Sequence, residues 1–264
     1  MSDDDVELGE AAVAAALTTA WLGRAYRYSP AVDSTNKQMK AWAAAGTSPA
    51  PHGAVWLADY QSAGRGRLDR RWDAPPGTAL LLSVLLRPAG WPAGRGAWLT
   101  MLAGLAAAEA IEDVTGRPAR LKWPNDVLLG EGDNRRKAGG LLLDAALDAH
   151  GGLETAILGI GLNVNIPAGA LPPAATPATS LLVELGRPVA RPALLAALLA
   201  RLEGRYAAAD AGQSPAGAWA TRLATLGRAV DVTAAGRAPL VGTAEGVDEW
   251  GGCWCATPPG NSTP

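Results

Sequence analysis

The chain has 264 residues, 48% of them hydrophobic and 18% charged, which suits one moderate domain plus a small one and excludes wholesale disorder. A formal net charge of -2 and a pI near 5.7 argue against a general nucleic-acid or membrane-surface binder, although positive charge can still be gathered locally. The acidic opening Ser2-Asp3-Asp4-Asp5 has the wrong sign for a secretory or transit leader, and no apolar run reaches membrane-spanning length, so a cytoplasmic protein with no membrane partner is expected.

In chain order, residues 11–20 are Ala-rich and predict an N-terminal helix, and residues 24–32 read as extended. Ser34 or Thr35 then N-caps a helix over 37–45, stopped by Gly46. Capping accounts for both hydroxyls, and a helix N-terminus also suits the polar end of a ligand. Residues 54–60 predict a strand that runs into Gln61-Ser62-Ala63-Gly64-Arg65-Gly66-Arg67-Leu68-Asp69-Arg70-Arg71-Trp72. Glycines alternating with arginines let a backbone come close to a ligand and offer it forked donors matched to phosphate or carboxylate. The same composition also describes a solvated basic loop.

An apolar run over 78–88 predicts a buried strand closed by Pro88, and residues 97–114 a long helix ended by Gly116-Arg117-Pro118. Residues 119–129 read as a strand interrupted by a polar insert, with Pro124 holding Trp123 extended. Lys122 in that insert is either the ion-pair partner of Asp126 or a fixed charge aimed at developing negative charge. A turn over 130–136, strands over 137–147 and 153–165, a Pro/Ala loop over 167–177 and a helix over 191–210 with Pro192 in its first turn follow. After residues 213–217 a short helix precedes a β-rich tail from about Leu226. Hairpins mixed with long helices predict α+β or mixed α/β architecture. Cys253 and Cys255 are too few for a closed zinc site, and His52 and His150 sit in turn contexts. Neither a His-dependent triad nor a metal-ligand set is therefore assigned.

Four segments in order, Asp33-Ser34-Thr35-Asn36, the 61–72 loop, Lys122-Trp123-Pro124-Asn125-Asp126 and Gly159-Ile160-Gly161-Leu162-Asn163, together with Lys137-Ala138-Gly139-Gly140, resemble the biotin protein ligases. The resemblance implies an α+β catalytic domain of the class II aminoacyl-tRNA-synthetase type over residues 1–222, with a mixed sheet covered by helices. It implies an SH3-like β-barrel over 223–264. It further implies that biotin is activated by MgATP as biotinyl-5′-AMP and passed to a lysine of a biotin carboxyl carrier domain, as in acetyl-CoA, acyl-CoA or pyruvate carboxylases. By position, Ser34, Thr35, Asn36, Gln61, Gly64, Arg65, Gly66, Arg67, Lys122, Gly159 and Gly161 would contact biotin. Arg65, Arg67, Arg70, Trp72, Lys122, Asn125 and Asn163 would contact the nucleotide. Lys122, Arg65 and Arg67 would carry the catalytic charge.

Too few residues precede Asp33 for the helix-turn-helix of the repressor members, so no DNA partner is expected. Asp69 stands where the family loop has glycine. After Gly251, Cys253-Trp254-Cys255-Ala256 lacks the apolar alternation of a barrel strand. Read one base out of phase, residues 252–264 can encode Arg-Leu-Leu-Val-Arg-Asp-Ala-Ala-Gly-Glu-Leu-His-Ala, so the barrel is expected to be incomplete and its gene frameshifted. A lipoate protein ligase, or a non-catalytic biotin- or nucleotide-binding module, are the rival readings.

Overall fold

A computed structural model describes residues 7–172, 176–233 and 239–256. The chain runs α1 (Glu10–Ala16), β1 (Tyr26–Val32), α2 (Thr35–Ala43), β2 (Val55–Gln61), β3 (Ala79–Leu86), α3 (Gly96–Thr115), β4 (Arg120–Lys122), β5 (Asp126–Leu129), β6 (Arg136–Leu147), β7 (Leu153–Asn163), α4 (Leu181–Leu185), α5 (Arg191–Asp210), α6 (Ala216–Arg222), β8 (Ala229–Val232), β9 (Leu240–Val247) and β10 (Cys253–Ala256). Strands β1 to β7 form one mixed sheet in the order β1-β2-β3-β7-β6-β5-β4. Only β1 and β2 run parallel, and the remaining neighbours are antiparallel.

The sheet is organised by β3, whose residues Ala79 to Leu86 are all buried. An apolar run without alternation needs cover on both faces, and it gets it. On one face lie α3 and α5, whose Leu99, Leu102, Leu195 and Leu198 join Leu80, Leu82, Leu158 and Ile160 in the main core. Many inward residues of α3 are alanines, which lets this helix pack closely. On the other face α2 buries Met39 and Trp42 against Leu85 and Ile157. Gly116, left-handed at φ 70°, ends α3 by donating its N–H to Glu112 O. At the start of α5 the buried Arg191 reaches Asp59 Oδ1 of β2 at 2.5 Å, and Asp59 also accepts from the Tyr28 hydroxyl. The neutralised pair ties helix to sheet, since either charge alone would be costly to bury.

Two sequence expectations change here. Residues 119–129 are not one interrupted strand. They form two antiparallel strands, with Lys122 opposite Asp126 and Trp123-Pro124-Asn125 as the turn between them; the Trp123–Pro124 peptide is cis. Polar residues are tolerated there because a turn leaves backbone groups and side chains facing outward. In the tail, Cys253–Ala256 does form a strand. It pairs antiparallel with β9 through a bulge between Trp254 and Cys255, because the ladder uses backbone groups and the missing apolar pattern only withdraws a buried face. The described part of the expected barrel is a three-stranded antiparallel sheet, β10-β9-β8; residues 257–264, where the frameshift reading mostly falls, lie outside the described residues. No helix among the described residues is long and apolar enough to cross a membrane.

Candidate active site

A cavity of about 810 Å³ opens over the mixed sheet, where Leu82 of β3, residues 140–142 of β6 and residues 159–161 of β7 contribute to its lining. Its lining brings together segments far apart in sequence, from Ser34 to Ala178, and includes Ser34, Thr35, Asn36, Gln61, Arg65, Gly66, Arg67, Arg70, Trp72, Lys122, Asn125, Gly159, Gly161 and Asn163. Gly64 alone among the expected residues is not in the lining. It sits at the base of the arginine loop, where Trp72 N donates to Gly64 O and a Cβ would stand 2.3 Å from Trp72 O. The close crossing of the two loop ends is what excludes a side chain there.

At one end of the cavity, the N-terminus of α2 meets β2 and β3. Thr35 N and Thr35 Oγ1 both donate to Gln61 Oε1, at 2.7 and 3.1 Å. Ser83 Oγ donates to Asn36 Oδ1 at 2.6 Å and lies 2.8 Å from Thr35 Oγ1. Asn36 Nδ2 donates to Asp144 Oδ2 at 3.0 Å, and Arg65 extends from the loop to the same carboxylate oxygen. The expected N-cap is corrected by this network. Ser34 occupies the cap position but its hydroxyl accepts no cap hydrogen bond. Asp33 Oδ1 instead accepts from Ser34 N and Gln38 Nε2. With Lys37 also bonded to it, the Asp33 carboxyl is held down at about 2.

The middle of the cavity floor is glycine. A Cβ on Gly159 would stand 2.5 Å from Asn36 Oδ1, and one on Gly161 would stand 2.7 Å from the Trp72 ring. Both glycines are thus positions where a neighbouring side chain needs the space of a methyl group. Two polar atoms of this region, Trp72 Nε1 and Asn163 Oδ1, are buried without a hydrogen-bond partner among the described residues. A buried donor and a buried acceptor in that state leave hydrogen-bonding capacity for a ligand.

The other end is cationic. Lys122 does not pair with Asp126, which faces it across the β4–β5 register; its Nζ donates to Thr176 Oγ1 at 2.7 Å. Asp126 is taken by Lys137, with Nζ to Oδ1 at 2.6 Å. Lys122 is thereby left without a carboxylate partner among the described residues, in the same cavity lining as the loop arginines. Asn125 lines the cavity, yet its Nδ2 donates to Leu141 O, so this amide also fastens the turn to β6.

Three residues of this arrangement escaped the sequence reading. Lys137 lines the cavity and lies 5.5 Å from the Trp72 ring centroid; the motif Lys137-Ala138-Gly139-Gly140 was the signal for it. Ser83 is fully buried inside an apolar run, and a single hydroxyl there was a signal of sorts, because a buried hydroxyl requires a partner. Asp144 gave none, lying in a half-exposed stretch of β6.

Known proteins resemble this chain in sequence and in fold. Residues 28–163 match the family model of the biotin/lipoate A/B protein ligase family. The chain is 37% identical over 226 residues to a biotin–[acetyl-CoA-carboxylase] ligase of Paracoccus denitrificans, covering 83% of this chain and 89% of that one. It is 34% identical over 159 residues to the bifunctional ligase/repressor BirA of Bacillus subtilis, covering 60% of this chain. It spans only about half the length of that relative, 46%. The structure of a biotin protein ligase from Aquifex aeolicus in complex with biotin and ATP superposes with a TM-score of 0.71 at 28% identity, covering 89% of this chain and 92% of that one. By the family model and by these relatives, the chain belongs to the biotin/lipoate A/B protein ligase family, among the biotin protein ligases.

Proposed function

We propose that the chain activates biotin with MgATP as biotinyl-5′-AMP and then transfers the biotinyl group to a lysine of a biotin carboxyl carrier domain. The observation that carries this reading is that one cavity is lined by the hydroxyl-and-amide groups at the start of α2, by glycines of β7 and by the cations Lys122, Lys137, Arg65 and Arg67. Biotin has a neutral polar ring system at one end and a carboxylate at the other. Residues 1–222 form the catalytic part in this reading, and residues 223–264 a tail of SH3-like descent.

In the first step a biotin carboxylate oxygen attacks the α-phosphorus of ATP, and pyrophosphate leaves with the electron pair of the broken P–O bond. Two anions must approach each other, so the barrier is largely electrostatic, and preorganised cations are the direct remedy. Lys122 is the fixed cation of the site, and Arg65 and Arg67 are the movable ones. Ser34, Thr35, Asn36 and Gln61 hold the ring end of biotin, with Gly159 and Gly161 beneath it. Gly64 shapes the loop that carries Gly66, Arg65 and Arg67 over the carboxylate and phosphate. Trp72, Arg70, Asn125 and Asn163 lie on the nucleotide side, where Asn163 Oδ1 and Trp72 Nε1 offer an acceptor and a donor. Mg²⁺ enters with the nucleotide as part of the substrate.

In the second step the carrier lysine, as a neutral amine, attacks the acyl carbon. AMP leaves, and the amine loses its extra proton to form the amide. Until then the loop must keep water out, since an acyl phosphate anhydride hydrolyses readily. It must also open for the carrier. The carrier belongs to an acetyl-CoA, acyl-CoA or pyruvate carboxylase, and the reaction takes place in the cytoplasm. The test is to supply ATP with biotin or with lipoate and measure pyrophosphate release, then to add a carrier domain and measure its mass. Release with biotin alone supports this reading. Release with lipoate would favour a lipoate ligase, and no release with either would favour a non-catalytic binding module.

A further inference from the structure

The turn that carries Lys122 is held from outside its own sheet. Strand β4 has only three residues and is the edge of the mixed sheet, paired on one side to β5. A short edge strand of this kind frays unless something covers its open side. The tail covers it. Leu121 forms an isolated parallel bridge with Leu223, and Ala224 N donates to Leu121 O at 2.8 Å. One residue further on, Thr225 Oγ1 accepts the backbone N–H of Trp123 at 2.9 Å.

A second contact grips the same residue from the small sheet. Trp123 Nε1 donates to Gly251 O at 2.9 Å, in the β9–β10 turn. That turn is itself rigid, since Asp248 Oδ1 accepts from Trp250 N and Gly252 N at 2.9 and 2.8 Å. It is pressed onto α3, where Trp98 Nε1 donates to Glu249 O at 2.7 Å and the Trp98 and Trp250 rings stack. Gly251 has φ 81°, and a Cβ there would stand 2.5 Å from Met101 Cε. Both hydrogen-bond donors of Trp123, the backbone N–H and the indole N–H, therefore end on residues of the tail, and Lys122 is the adjacent residue.

We propose that Thr225 and the β9–β10 turn are positioning elements for Lys122, so that the tail fixes the cationic end of the active site from behind. Its catalytic consequence rests on the ligase reading above; the brace itself does not. Holding the backbone of Lys122 in one place matters because a charge that must reorganise during the reaction stabilises a transition state less than one already in position.

The experiment uses the full chain with Thr225→Val, Thr225→Ser and Gly251→Ala. Hydrogen–deuterium exchange of the peptide spanning residues 121–126 is measured beside biotin-dependent ATP–pyrophosphate exchange. Thr225→Val and Gly251→Ala should speed amide exchange in that peptide by about 10-fold while β3 and β7 stay protected. They should lower kcat by about 10-fold, with KM for biotin changed by less than about 2-fold. Thr225→Ser, which keeps the acceptor, should restore both. Unchanged protection of residues 121–126, loss of protection across the whole chain, or failure of the serine variant to rescue would each overturn the brace. A wild-type protein without biotin-dependent pyrophosphate exchange would sink the ligase reading, and amide exchange would then decide the brace by itself.

Discussion

On one side of the cavity Lys122 stands next to a tryptophan anchored at both backbone and indole; on the other, Arg65 and Arg67 stand on a hairpin-like loop held by its own backbone. Gly66 N donates to Arg70 O and Trp72 N to Gly64 O, and Arg65 bridges to Arg71. The loop tip is exposed, with Leu68 at 67%. Its ion pairs, Arg71 to Asp73 and Arg65 to Asp144, involve half-exposed side chains and are worth little each. Few buried apolar groups and exposed bonds place this loop at the low-stability end of the molecule. The same charge type is thus mounted once on a rigid support and once on a compliant one. In the proposed reaction, chemistry between two anions calls for the first, and admission of a small substrate and later of a carrier lysine calls for the second.

The sharpest way to break this contrast is to remove the rigid cation. Lys122→Ala should slow adenylate formation by about 10²-fold or more, the scale of losing one preorganised charge-stabilising group. Single-turnover pyrophosphate release measures it, and a normal rate would take Lys122 out of that role.

Next in size is the floor that both sides share. Gly159→Ala would drive a methyl group into Asn36 Oδ1 and force apart its buried hydrogen bond with Ser83, along with its half-buried one to Asp144. Leaving one of those buried groups unsatisfied costs about 1–3 kcal/mol. Biotin affinity measured by calorimetry should fall by about 10-fold or more, while Gly169→Ala, in open space, should leave it unchanged.

On the compliant side, Arg65→Ala or Arg67→Ala should chiefly weaken retention of the adenylate. Free biotinyl-AMP appearing in solution should rise several-fold, on the order of the about 1.5–3 kcal/mol of a charge-assisted hydrogen bond lost to solvent competition in part. Unchanged leakage would show that the loop arginines do not hold the intermediate.

The smallest effect belongs to the loop tip. Leu68 and Asp69 have φ of 55° and 56°, so two consecutive non-glycine residues lie in the left-handed region, where glycine is favoured. That is the physical cost of Asp69 at a position where glycine was expected. Asp69→Gly should stabilise the tip by at most about 1 kcal/mol, offset in part by the freer unfolded chain. Slower proteolytic nicking of the loop with little change in Tm is the expected result.

A separate test concerns pH and lies outside the cavity. His52 stacks on Trp21 and accepts Arg87 N–H through Nδ1. Burial, its largest influence, pushes the imidazole below its usual value. The unfolded chain therefore binds this proton more readily, so the contribution is intact above about pH 6.5 and is lost as pH falls through the lowered value. Thermal midpoints measured from pH 7.5 to pH 5 should decline, and His52→Asn should flatten that decline.

Residue types and their local spacing determined a good part of this protein. The apolar run of β3, broken only by Ser83, the glycine stop at Gly116 and the proline at the start of α5 marked their elements directly, because caps, stops and buried strands are written within a few residues of one another. The ordered motifs likewise marked most of the residues that line the cavity, but not Asp73, Leu82, Leu141, Leu142, Pro172, Thr176 or Ala178. Only the tertiary structure decided who bonds to whom. It gave Asp126 to Lys137 and left Lys122 to Thr176, turned Gly64 to the loop base, joined Ser83 and Asp144 to Asn36, and brought Thr225 and Gly251 onto Trp123. Those choices depend on strand register and on which distant group reaches a buried donor first. Periodicity along a chain contains no term for either.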